Sequence, residues 1–96
     1  MKWIKTDVSH LPIVATIGNS PFIKPKVYAL IENNIKWIHI IKITSIRGVY
    51  KLGKMAGKNY YWRVLWIDGM DYKTKEFIYL KEAKSFAEKI LKKLKV

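Results

Sequence analysis

The end of the chain constrains its fold most. Leu80, Ala83, Ala87, Ile90, Leu91 and Leu94 recur at the 3.6-residue period of a single helix stripe, with Phe86 at its border. Lys81, Lys84, Ser85, Lys89, Lys92, Lys93 and Lys95 fall on the opposite side. Glu88 stands four residues before Lys92, and lysines crowd the last turns, where they complement the helix dipole. A helix of about fifteen residues with only one apolar stripe has to bury that stripe on another layer. The rest of the chain must therefore supply a sheet.

Period-two segments meet that requirement. Residues 60–67 (YYWRVLWI) send Trp62, Val64 and Trp66 to one face and Tyr61, Arg63, Leu65 and Ile67 to the other. Asp68-Gly69 closes this strand as a hairpin turn, and another strand follows near 73–79. Residues 35–43 alternate with apolar side chains on both faces, which predicts a central strand. In front of it, 26–32 carries Val27, Leu30 and Ile31 at helical spacing behind Pro25, but Asn33-Asn34 tolerates positive φ and favours a hairpin. Residues 3–5 suit an edge strand and 13–17 a short strand closed by Gly18, Asn19, Ser20 and Pro21. Residues 47–50 continue as strand or bulge, and 52–58 form a glycine- and lysine-bearing tip. The expected fold is α+β: an antiparallel sheet of four to six strands packed against one C-terminal helix. All 96 residues form a single domain, with N-terminal strands over 1–45 and a three-strand-plus-helix unit over 46–96.

Charge narrows the partner class. Nineteen basic residues against seven acidic ones leave a formal charge of +12, which draws polyanions and makes nucleic acid the leading partner. Only Arg47 and Arg63 are arginines, and the remaining basic residues are lysines. There is no cysteine for a disulfide or a thiol nucleophile, and His10 and His39 stand far apart, so neither a catalytic site, a cofactor nor a metal is expected. Asp68 and Asp71 read as turn residues, and no phosphate loop, nucleophile elbow or dinucleotide fingerprint occurs. No apolar run reaches the ~18 residues of a membrane span. Lys2, Lys5 and Asp7 interrupt the place of a secretory signal, which makes an intracellular, cytoplasmic chain the expectation.

Arg47-Gly48-Val49-Tyr50, then Trp62-Arg63-Val64-Leu65-Trp66 with Gly69, then Phe77, Glu82-Ala83 and Ala87 resemble the plant ethylene-response-factor (APETALA-type) DNA-binding domain. Relatives of that family occur in mobile-element endonucleases and in the arm-binding domains of tyrosine integrases. The resemblance covers residues 47–96. It implies three antiparallel strands backed by a helix, with the exposed sheet face entering the DNA major groove. The family reads bases with several arginines where this chain offers mostly lysines, which implies phosphate contact and weak sequence specificity. The strand-strand-helix ending in Lys81-Glu82-Ala83-Lys84 is also similar to the C-terminal half of a double-stranded-RNA-binding domain.

These readings place a nucleic-acid surface on the sheet face and the tip. Trp62 and Trp66 pack in the core, and Arg63 faces outward with Arg47 beside it as the base-edge candidates. Tyr50 and Tyr61 share that surface, and Lys51, Lys54, Lys58, Lys73 and Lys75 contact phosphates. The competing reading is a small protein-interaction regulator of phage or plasmid type, in which Ile38, Ile40 and the tyrosines make an adhesive patch and the lysines serve solubility.

Overall fold

The computed structural model describes residues 1–44 and 60–94. Five strands, β1 (Lys2–Thr6), β2 (Val27–Glu32), β3 (Ile35–Thr44), β4 (Tyr60–Asp68) and β5 (Asp71–Phe77), form one antiparallel sheet in sequential order, and α1 (Leu80–Leu94) packs on one face. The α+β arrangement, the central position of β3 and the edge position of β1 match the sequence reading.

Local chemistry explains the turns. Asn33 and Asn34 both adopt positive φ, 54° and 64°, so the β2–β3 connection has the two left-handed residues a tight hairpin needs to match strand twist. Residues 27–32 are thereby strand and not helix. In the β4–β5 turn Asp68 pairs with Asp71, and Gly69 alone takes positive φ, as the first central residue of a type II′ turn does. The register slips between Leu30 and Ile31, which pair with Ile38 and Lys36, leaving Trp37 as an extra residue on β3. That bulge re-phases β3 and turns Ile38 and Ile40 toward the helix.

The helix side holds the larger core: Leu30, Ile38, Ile40, Trp62 and Val64 from the sheet meet Ala83, Ala87 and Leu91. Ala83 and Ala87 let α1 approach the strands closely, and Trp66, Phe77 and Phe86 close one flank with ring separations of 5.4 and 5.2 Å to Phe86. On the other flank the Trp3 indole donates to Glu88 Oε2 at 3.1 Å, tying α1 to β1. Ile38 and Ile40 are fully buried here, so the aliphatic part of the adhesive patch in the protein-interaction reading is not at the surface, whereas Tyr72 and Tyr79 are exposed.

The opposite face is covered by residues 7–26, the strap that joins β1 to β2. Its Val8, Leu11, Val14 and Ala15 pack on Val27, Ile41, Ile43, Tyr61 and Leu65. The strand expected at 13–17 is a 3-10 turn, Ile13–Ala15, closed by Ala15 N–H to Pro12 O at 3.0 Å. Because the strap crosses a sheet face and not an edge, no strand ladder is open to it; over 8–19 the backbone bonds within itself, and Ser20 N–H reaches Thr44 O at 2.7 Å. Asn19 pins its far end: Nδ2 donates to Ser20 O and Ile23 O, and Oδ1 accepts from Thr44 N at 2.8 Å.

Candidate nucleic-acid interface

Arg63 does not face solvent. It projects from β4 into the strap side, is 7% exposed, and donates through Nη1 to Val14 O at 3.1 Å and Ile17 O at 2.6 Å. Its Nη2 donates to the Tyr61 hydroxyl at 2.8 Å and lies 3.6 Å from Glu76 Oε1. The sequence placed Arg63 on the correct face, away from Trp62, but treated that face as open. The strap fills it, and Nη1 serves two carbonyls of the irregular strap while Nη2 serves the Tyr61 hydroxyl. Arg63 is therefore a structural clamp and not a base-edge reader. Tyr61, 5% exposed beside it, is likewise removed from the interface.

Among the other expected residues, Lys73 and Lys75 are exposed on edge strand β5. Lys73 Nζ lies 3.2 Å from Asp68 Oδ2, and Lys75 sits 5.0 Å above the Phe86 ring. Arg47, Tyr50, Lys51, Lys54 and Lys58, with the expected strand at 47–50 and tip at 52–58, lie outside the described residues.

A different basic surface is assembled by the N-terminal half. Lys5 stands directly opposite Tyr28, which stands opposite Ile40. Two residues from these along their strands, Lys26 and Lys42 point to the same side. The Lys42 N–H bonds to Lys26 O at 2.9 Å. Lys42 pairs with Trp62 and holds its ammonium 4.2 Å above the Tyr60 ring. From the first turns of α1, Lys84 reaches over Tyr28 at 5.0 Å and Trp3 at 5.6 Å. Tyr28 and Tyr60 flank Trp62 at ring separations of 6.1 and 6.3 Å. The aromatic rings hold extended lysine stems and ammonium groups in place, at a modest energy for each contact.

Next to this array lies a cleft of about 270 Å³ lined by Lys5, Thr6, Lys24, Pro25, Lys26 and Tyr28, together with Val27. No carboxylate is among its described lining residues. Asp7, the acid nearest in sequence, is engaged by the backbone and hydroxyl of Ser9, and these hydrogen bonds, aided by Lys24 and Lys36, hold its carboxyl below the usual range. On α1, Glu88 is engaged by Trp3 and Glu82 is exposed in the first turn. Sequence reasoning passed over Lys5, Lys24, Lys26, Lys42 and Tyr28 because they sit on three segments that only strand register brings together. The Lys24-Pro25-Lys26 run was the one local signal available.

A smaller cavity of about 120 Å³ lies on the strap side, where His10, Lys36, Trp37, His39, Leu65 and Tyr72 are among the lining residues. Burial, with a smaller contribution from Lys36, pushes the His39 imidazole below its usual value. Among the described residues no group of three or more His, Asp or Glu is placed to hold a metal ion, and no helix is long and apolar enough to cross a membrane. No family model, characterised protein or solved structure matches this chain.

Proposed function

We propose that the protein binds nucleic acid by gripping phosphates with Lys5, Lys24, Lys26, Lys42 and Lys84 at the end of the sheet where α1 begins. The observation that carries this reading is that Lys5, Lys24 and Lys26 line one cleft with no carboxylate among its described lining residues, while Lys84 lies over the ring of Tyr28 in that lining and Lys42 bonds through its backbone to Lys26. A group of lysines on one surface favours a polyanionic partner. The overall charge of +12 supplies long-range attraction, and lysines grip phosphates without reading bases, so sequence preference is weak. A sheet face entering the major groove is not the mode, because α1 and the strap cover the two faces of the central strands.

The test is a salt titration of binding to nucleic acid. Log affinity should fall linearly with log salt, with a slope that corresponds to roughly four to eight phosphate contacts. Lys26→Glu and Lys42→Glu should each weaken binding at least about tenfold at low salt. Lys89→Glu, on the exposed side of α1, should weaken it far less. Absence of binding at low salt, or equal losses for all three variants, removes this reading.

A further inference from the structure

The cleft beside Tyr28 carries more than lysines. Its chemistry is divided: Tyr28, Pro25 and Val27 offer apolar and aromatic wall, whereas Lys5, Lys24 and Lys26 offer three ammonium groups. Its volume of about 270 Å³ is on the scale of one nucleoside and too small for a duplex segment. A phosphate alone would need only the lysines. A base stacked within a duplex has both faces occupied and can enter such a cleft only after extrusion, which costs unpairing and unstacking energy.

Resting on the nucleic-acid reading above, we propose that the cleft takes a single unpaired nucleotide, its base against Tyr28 and Pro25 and its flanking phosphates on Lys5, Lys24 and Lys26, so that the protein prefers single strands over duplex. The preference is tolerant of base identity, because every base presents a π-face and no described group in the lining offers a fixed donor–acceptor pair at an apolar wall. Lys84 holds its ammonium group 5.0 Å over the Tyr28 ring, so a base stacking on that face displaces the flexible lysine from the ring toward the nucleotide's flanking phosphate. The neighbouring Lys42–Tyr60 pair continues the same combination of cation and ring along the strand path.

The experiment compares three probes at one moderate salt concentration: a mixed-sequence single-stranded DNA, its duplex, and inorganic polyphosphate as a polyanion without bases. The native protein should bind the single strand at least about fivefold more tightly than the duplex. Tyr28→Leu, confirmed folded by its thermal melt, should lower single-strand affinity by roughly 5- to 100-fold and leave polyphosphate binding unchanged, while Tyr28→Phe should retain native affinity. If Tyr28→Leu does not fold, the paired variant Lys24→Ala with Lys26→Ala, at exposed positions, should lower binding to all three probes and reduce the single-strand advantage. Duplex binding equal to or tighter than single-strand binding, or a folded Tyr28→Leu with undiminished single-strand affinity, overturns this inference and leaves the phosphate-gripping reading standing. Binding to polyphosphate alone, with neither nucleic acid bound, overturns both.

Discussion

The two faces of the sheet are both covered, but by different physics. On the helix side, Ala83, Ala87 and Leu91 dock on an apolar and aromatic surface, and no side-chain ion pair is part of that core among the described residues. On the strap side the apolar cluster is smaller, and a buried guanidinium stitches an irregular segment to β4. A regular helix satisfies its own backbone and needs only apolar complementarity. A strap with little regular structure exposes carbonyls that something must satisfy, and Arg63 does so. Burial of the Arg63 guanidinium thus marks where regular secondary structure gives out.

The comparison breaks most visibly at Ala87. Ala87→Asp places an unpaired charge at a position with no exposure, beneath α1, and should cost several kcal/mol, enough to abolish a cooperative thermal melt. A variant that retained its native melting temperature would mean that α1 is not docked on this face.

Arg63→Ala tests the strap side and should cost about 2–4 kcal/mol, since the Val14 and Ile17 carbonyls and the Tyr61 hydroxyl each lose a charged donor. The loss should be local before it is global: amide hydrogen exchange across 14–20 should accelerate more than exchange in α1. Arg63→Lys should not restore protection, because a single ammonium cannot reproduce the forked contacts. Glu76→Gln, which removes only a partly exposed ion-pair partner at 3.6 Å, should cost less than about 1 kcal/mol.

A pH titration sharpens the same contrast. His39 lies on the strap side and its imidazole is held below the usual value by burial. The unfolded chain therefore binds a proton more readily than the folded one. Stability should be intact above the ordinary imidazole value of about 6.5 and fall as pH drops through the depressed folded value. His39→Gln should flatten that part of the pH–stability curve, read from melts between pH 7.5 and 5. The helix side has no histidine and should contribute no slope there.

The smallest effect is at the β2–β3 turn. Asn34→Gly should stabilise by about 0.5–1 kcal/mol, because φ of 64° suits glycine without steric cost. Asn34→Ala should destabilise, and denaturant midpoints at constant m-value would separate the two.

Legibility followed the same divide. The helix stripe, the alternation of 60–67, the Asn-Asn hairpin and the central place of 35–43 were all readable, because each rests on a short-range period or a local turn preference. The site was far less readable. Arg63 is assigned to the correct face by alternation alone, yet alternation says nothing about what covers a face, and that decided its role. Lys5, Lys26 and Lys42 lie on segments up to 37 positions apart and meet through the pairing of β1 with β2 and of β2 with β3.

By itself, then, the sequence determined the element types, the apolar stripe of α1, the hairpin turn at Asn33-Asn34 and the positive charge, since these follow from residue chemistry over a few positions. Only the tertiary structure decided that 13–17 is a turn across a sheet face, that Arg63 is clamped beneath it, and that Lys5, Lys24, Lys26 and Tyr28 enclose one cleft. The physical reason is that burial and charge clustering depend on what lies across space, and in an antiparallel sheet strand register sets those neighbours, here with a one-residue bulge at Trp37 that no local pattern announces.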